Sequence, residues 1–538
     1  MEESRMRPAC PSSRLARTAG RALALTLLSL GPAFGQLSSD SWWPKFQRDA
    51  QNTGSVPLVG FVGDAHVIWA VQLHSAPVMQ NYATPVLSPD NTRLYVGGPG
   101  SKVTAVDAAT GALLWTVTLG DGTGAIWQTA AVGVDGSIYV GSWDTSSPYD
   151  GFCKLRDEGD LGQVIWSFPL RRQLASPTIT ADGLIIVGGQ GESGQWAYFA
   201  LEDLGQSYNL AWTAAILADP NNPASTGVIG SSPALSADSV WTYGGSYENR
   251  SLWQIDTQTG DDLALPLDYY CYMAAPLVDD TGYVFIAEGM DFANPNDQTQ
   301  GKLYAFRPDD YGQLSEFDSL ALKAGHLNGG TAALGRRPDG GQRLYVPANG
   351  FGKSSAKLIA VDFDPEDHDA DPNTPALTKA WEIAVGPSAL AFPQAVATKD
   401  RIVYMLGPAD HKLYAVRDAG TQAGFVWLLA LSEISRATQW SPDARGPQGV
   451  IVGPDGTIYW NAVDGYLYAI RGWPRADLDG NEELDEDDLH WLAAAIVDPE
   501  GYAQRFPEID ATVVGDLNGN GRLDFFDLNL LLELLAEG

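Results

Sequence analysis

Between Thr84 and Arg471, apolar and polar residues alternate in short runs rich in Val, Ile, Tyr and Trp, punctuated by Asp-Gly, Pro-Asp and Thr-Gly pairs. Alternation with period two gives each run two distinct faces, and those pairs are tight-turn chemistry, so the pattern predicts short strands joined by hairpins. The strands recur as a unit. From Thr84 a Pro-led strand meets a turn, Leu94-Tyr95-Val96-Gly97-Gly98 forms a second strand, a third ends at Asp107, a Thr110-Gly111 turn follows, and a fourth carries Trp115. Tyr95, Tyr139, Ile186, Thr242, Phe285, Tyr345, Tyr404 and Tyr459 hold matching places in eight copies, 43 to 60 residues apart. One copy is too small to bury both its faces, so stacking around an axis predicts an all-β, eight-bladed β-propeller over residues 36–472.

The last copy stops after Leu467-Tyr468-Ala469-Ile470-Arg471 without its Trp strand, while Ile68-Trp69-Ala70-Val71-Gln72-Leu73 stands unclaimed ahead of the first copy. Pairing these two runs completes the eighth blade and leaves no open sheet edge.

After Gly472-Trp473-Pro474 the period-two pattern gives way to acidic loops, each followed by helical spacing; residues 473–475 read as a linker and 476–538 as a small all-α domain. A hard cation with six to eight oxygen ligands is wrapped by loop positions 1, 3, 5, 9 and 12 with a carbonyl at 7. Asp477, Asp479, Asn481, Asp485 and Asp488 hold those positions in the first loop, with the carbonyl of Glu483 at the seventh. In the second they are Asp516, Asn518, Asn520, Asp524 and Asp527, with the carbonyl of Arg522. Two calcium ions are therefore expected. Both loops end in Asp where the EF-hand pattern has Glu, and the first has Glu482 where a sharp turn favours Gly, so the first is the expected weaker site. Behind the loops, Leu489, Leu492 and Ile496 fall on one helical face, as do Leu528, Leu531, Leu532 and Leu535 on another.

The 66 acidic and 33 basic side chains give a formal charge of −33, which repels nucleic acid and anionic lipid. At the start of the chain Arg5, Arg7, Arg14, Arg17 and Arg21 precede the apolar run Ala22–Leu30 and Ala33-Phe34-Gly35. That layout reads as a signal peptide over residues 1–35, so a secreted, extracellular or periplasmic protein is expected. The apolar run is too short to span a bilayer, and no membrane-spanning segment is expected. Only Cys153 and Cys271 follow the leader, which excludes a disulfide scaffold.

Leu-Tyr-Val-Gly-Gly at 94–98, Leu-Tyr-Ala-Phe at 303–306, Leu-Tyr-Ala-Val at 413–416, Leu-Tyr-Ala-Ile at 467–470 and the Asp-x-x-Thr-Gly turns at Asp107 and Asp256 resemble the pyrroloquinoline quinone (PQQ) repeat family. The run Trp43 to Gly54 resembles the lead-in that family often carries. The resemblance implies the propeller and leaves two functional classes: quinone-dependent dehydrogenases and non-catalytic scaffolds. The alcohol dehydrogenases of the family carry adjacent cysteines, a calcium-ligating acid and a catalytic Asp. This chain has no adjacent Cys pair, so no catalytic residue is assigned and PQQ is not expected as a cofactor. Segments ahead of the inner strands face one end of the axial channel in such a ring. They hold Tyr82, Trp127, Arg171, Arg172, Tyr270, Tyr272, His326, Asn328, Phe392 and Gln448, aromatic and polar groups that suit a carbohydrate or peptide ligand.

The duplicated Asp-ending loops without an entering helix resemble a type I dockerin. That resemblance implies calcium-dependent docking to a cohesin-type partner through loop positions 10 and 11, here Glu486-Asp487 and Phe525-Phe526, often in polysaccharide-degrading assemblies. A module folded back on its own propeller is the competing arrangement. The combined expectation is a secreted binding or scaffolding protein; the alternative is a PQQ-dependent dehydrogenase tethered by the same module.

Overall fold

A computed structural model describes residues 36–75, 83–143, 151–216, 227–247, 249–271, 273–289, 301–324, 330–350, 355–371, 373–389, 392–437, 449–474, 476–481, 484–507, 509–517 and 522–536. The signal-peptide reading of residues 1–35 lies outside them.

Eight sheets form the ring. Blade one is Val86–Leu87, Arg93–Gly98, Lys102–Asp107 and Leu113–Thr118, each strand pairing with the next. Blade eight takes three strands from the end of the repeats, Ile451–Val452, Ile458–Asn461 and Tyr466–Pro474, and its fourth, Phe61–Gln72, from ahead of blade one. The expected closure is present, with Val67 opposite Ile470 and Val71 opposite Leu467, and the closing strand begins earlier than the hydrophobic pattern indicates, at Phe61.

At three junctions the repeated residues lock one blade to the next. Tyr139 Oη (2.6 Å), Lys154 Nζ (2.5 Å) and Trp166 Nε1 (3.1 Å) of blade two all donate to the Asp203 carboxylate of blade three. Tyr345, Arg343 and Trp381 converge in the same way on Asp418, and Tyr95, Arg93 and Trp115 on Asp157. Where blade eight lacks that Asp, Trp427 Nε1 donates to the Phe61 carbonyl and the Phe61 amide donates to Tyr404 Oη. The small residue leading each inner strand makes a second set of links around the axis. Thr84 Oγ1 lies 2.7 Å from Thr129 Oγ1, the Thr129 amide donates to Ser176 Oγ, and the Ser176 amide donates to Ser232 Oγ.

One end of the axis is plugged by the lead-in. The carbonyls of Trp43, Pro44, Ala50, Gln51, Thr53 and Gly54 accept the amides of Leu87, Val132, Leu235, Val278, Leu334 and Ala397 at 2.8 to 2.9 Å, one from each of six blades. Asn52 Nδ2 donates to the Ser232 and Pro276 carbonyls, and the fully buried Lys45 ammonium donates to the Asp49 carbonyl and to Asn52 Oδ1.

Two short helices, α1 (Pro365–Ala370) and α2 (Leu431–Ile434), interrupt blade six and follow blade seven. Four more make the C-terminal module: α3 (Glu486–Val497), α4 (Pro499–Arg505), α5 (Ala511–Gly515) and α6 (Phe525–Ala536). The sequence pattern anticipates α3 and α6. The short α4 and α5 are fixed by side-chain caps, Asp498 accepting from the Gly501 amide and Asp510 from the Thr512 amide. On α6 Leu531 is buried but Leu532 is 46% exposed, so the four leucines read as one face divide between core and surface. No helix among the described residues is long and apolar enough to cross a membrane.

Candidate functional site

Against the inner side of the plug, a small cavity of about 20 Å³ lies on the axis, walled by Phe46 of the lead-in, Trp127, Met273 and Phe392 around Gln128, Thr129, Ser232, Thr331 and Gln394. Of the channel residues expected from sequence, Trp127 and Phe392 meet here. Trp127 stacks on Trp143 at 4.7 Å and 5°, and the Arg172 guanidinium lies 4.8 Å over the far side of that pair, a cation–π ladder leading away from the axis. Arg171 is exposed on the short strand Leu170–Gln173. Tyr270 lies beneath Arg250, whose guanidinium is 4.4 Å from its ring, and beside Tyr247. Tyr82, Tyr272, His326, Asn328 and Gln448 lie outside the described residues. Gln128, Thr129, Ser232, Thr331 and Gln394 were missed. Their common signal was the small or polar residue opening each inner strand, the position that turns towards the axis.

The described lining is aromatic, hydroxyl and amide with the Met273 thioether and Gly230, and it holds no carboxylate and no cation. The buried Nε2 of Gln128 has no hydrogen-bond partner, so a neutral acceptor fits there. Beneath the floor, burial brings Lys45 down to about 7, with Asp49 opposing in part. Cys153 and Cys271 are buried in different blades, and burial, with Glu288 alongside, pushes the Cys271 thiol well up. A polycarboxylate quinone with its calcium needs fixed cations and a carboxylate, and this described lining does not fit it.

The carboxylates gather in the C-terminal module. Ligand oxygens of Asp477, Asp479 and Asp488 lie within 4.8 Å of one another, and Asp477 and Asp488 are fully buried. The loop is folded around its own last residue: Asp488 Oδ1 accepts the Leu478 amide (2.7 Å) and Oδ2 the Asp485 amide (2.9 Å). The second loop repeats this with Asp527, which accepts the Leu517 and Asp524 amides, both at 2.9 Å. Asp485 caps α3 through the Asp487 amide, as Asp524 accepts the Phe526 amide at the start of α6. Burial pushes Asp488 up to about 7, its two amide bonds opposing and the charges of Asp477 and Asp479 adding. Asn481 and the exposed Arg522 sit on the loops; Glu483, Asn518 and Asn520 lie outside the described residues. Positions 10 and 11 face solvent in both loops: Glu486 and Asp487 are exposed, Phe525 is 69% and Phe526 71% exposed.

Residues 99–204 match the family described as outer membrane protein assembly factor BamB, about one-fifth of the chain. No curated protein matches the sequence. Among solved structures the chain is similar to the quinohemoprotein alcohol dehydrogenase of Comamonas testosteroni, at 14% identity over 87% of each chain with a TM-score of 0.51. It is similar to the quinohemoprotein alcohol dehydrogenase ADHIIG of Pseudomonas putida HK5, at 15% identity over 81% of this chain and 76% of that one, TM-score 0.51. A europium-containing methanol dehydrogenase is 13% identical over 90% of this chain and 96% of that one, TM-score 0.53. At such identities the likeness speaks for the fold, and the chain carries a PQQ-like eight-bladed β-propeller.

Proposed function

We propose that this is an exported, calcium-binding propeller protein that acts by holding partners rather than by catalysis. The observation that supports it is the twin loop geometry, in which Asp488 and Asp527 close their loops through equivalent pairs of amides. In the first loop two further carboxylates, Asp477 and Asp479, converge on Asp488. Three carboxylates so close repel one another, and a divalent cation removes that repulsion by replacing it with oxygen coordination. Dockerin-like docking to a cohesin-type protein is the partner reading, carried by the exposed Glu486-Asp487 and Phe525-Phe526 faces. The axial mouth, with Trp127 and Phe392 beside neutral amides and hydroxyls, suits a carbohydrate or peptide.

Calorimetric titration of the chelated full chain with calcium is the test. Two sites are expected, the tighter abolished by Asp516→Ala and the weaker by Asp477→Ala, because Gly521 permits the turn that Glu482 resists. Absence of heat attributable to binding overturns the calcium reading. Capture by a cohesin, lost in Phe525→Ala with Phe526→Ala, tests the partner.

The second reading, a PQQ-dependent dehydrogenase, is favoured by the similar folds of the quinohemoprotein and methanol dehydrogenases. Incubation with PQQ and calcium, followed by gel filtration, decides between the two. Co-eluting quinone absorbance with alcohol-dependent dye reduction establishes the dehydrogenase, and quinone-free protein excludes it.

A further inference from the structure

Blade eight differs from the other seven in how its outer pair is held. In blade one, strands three and four are joined by a turn in which the Gly111 amide donates to the Asp107 carbonyl. In blade eight the third strand, Tyr466–Pro474, runs on into the C-terminal module, and the fourth, Phe61–Gln72, comes from far earlier in the chain. Their ladder has register shifts at three places, between Phe61 and Gly63, Gly63 and His66, and Val67 and Trp69. Each shift interrupts regular pairing, so this seam has less local support than a hairpin.

The module sits on that seam. Helix α5 packs against Phe61–Gln72. Just past the end of the third strand, the Ala476 amide donates to the Val514 carbonyl of α5 at 2.8 Å. Leu484 of the first loop lines a cavity of about 180 Å³ with Leu58, Phe61, Pro454 and Arg471 of the ring. Blade seven supplies two cations: Arg417 Nη1 donates to the Asp516 carbonyl at 3.4 Å, and Lys399 Nζ to the Leu534 carbonyl near the C-terminus of α6 at 3.5 Å. Leu478, Leu492, Val514 and Leu531 share one buried cluster with Phe61, Val62 and Trp69, so no solvent layer divides module from ring.

We infer that the C-terminal module is an intramolecular latch on the propeller seam, so that calcium bound to its loops holds the ring closed while the outward faces at Glu486-Asp487 and Phe525-Phe526 stay free for a partner. This rests on the calcium reading above. The first position of each loop is tied to the ring: Asp477 follows directly on Ala476, which bonds to α5 beside the seam, and the Asp516 carbonyl is the acceptor for Arg417 of the adjoining blade seven. Positions 10 and 11 open α3 and α6 on the exposed side. Ordering the loops therefore fixes Ala476 against α5, and α5 against the closing strand. Anything that binds the latched state alone stabilises it by mass action.

Hydrogen exchange by mass spectrometry on the full chain, with terbium luminescence reporting metal occupancy, tests the latch. Chelation should speed exchange in residues 61–72 and 466–474 by about tenfold or more while blades two to five hold their rates. Lys399→Ala with Arg417→Ala should speed the same segments with metal still bound. Unchanged seam exchange after the terbium signal is lost overturns the latch and leaves calcium binding intact. If no metal binds, the calcium reading falls, and the double variant alone decides: faster seam exchange supports a metal-independent latch, and unchanged exchange overturns it.

Discussion

Two buried ionisable side chains away from the loops set opposite slopes of stability with pH. Glu288 is 1% exposed; its Oε2 accepts the Tyr269 amide and its Oε1 has no partner. Burial pushes it up to about 8 from 4.5, with the Tyr269 amide opposing. Between those values the folded chain keeps a proton that the unfolded chain has released, so this contribution is complete below about 4.5 and lost as pH rises through 8. Lys45 runs the other way, since its folded value near 7 lies below the unfolded one and stability is gained as pH rises above 7. Glu288→Gln keeps the acceptor for Tyr269 and removes the charge. Its melting temperature relative to the parent should rise between pH 5 and pH 8, and a parallel pair of pH profiles would contradict the assignment. Neither slope was legible in the sequence, because a carboxylate ending one strand among many gives no local sign of its burial.

At the scale of the element, the Thr-Gly turns show how much of the fold was legible and where the reading stopped. The repeat of Tyr, Trp, Asp and Gly gave the strands and blade number directly, since periodic patterning and turn chemistry are local. The reason for the glycine lies in the neighbouring blade. Gly111 has φ +73°, and a Cβ there would meet the Trp69 ring at 2.6 Å; Gly260 (φ +73°) stands against Trp212 in the same way. Gly136 (φ +77°) has nothing within 4 Å. Gly136→Ala therefore costs about 1 kcal/mol of backbone strain, whereas Gly111→Ala should cost about 2–4 kcal/mol because Trp69 must also move. Urea unfolding of the two variants separates these effects, and equal costs would mean that the Trp contact carries no weight. The fold of the two acidic loops was readable for the same local reason, since oxygen-bearing side chains recur at loop positions 1, 3, 5, 9 and 12 and a helix follows each loop. The axial site was readable only in part: Trp127 and Phe392 were expected there, but the polar residues that join them come from blades far apart in sequence.

For the whole molecule, the ring is a closed set of blades held by Asp-centred locks at three junctions and from inside by the lead-in. The lead-in was recognisable only by resemblance, because its bonds are long-range: Asn52 reaches Ser232 and Pro276 across 180 and 224 positions. It accepts amides from six blades, and each amide left buried without an acceptor costs about 1–3 kcal/mol. Losing several together would exceed the roughly 5–15 kcal/mol by which a domain is usually stable. Removal of the lead-in should therefore abolish folding, but a non-folding chain would teach little. Asn52→Ala is the graded test, since Asn52 is fully buried at φ +58° and links the Lys45 ammonium to the inner strands of blades four and five. Its loss leaves two carbonyls and an ammonium short of a partner, an expected cost of about 3–5 kcal/mol. Because every blade is packed between two others, that cost should shift one cooperative urea transition as a whole. A separate early transition would show that blades four and five can loosen without the rest of the ring, and a shift worth under about 1 kcal/mol would show that the plug fills the axis without holding it together.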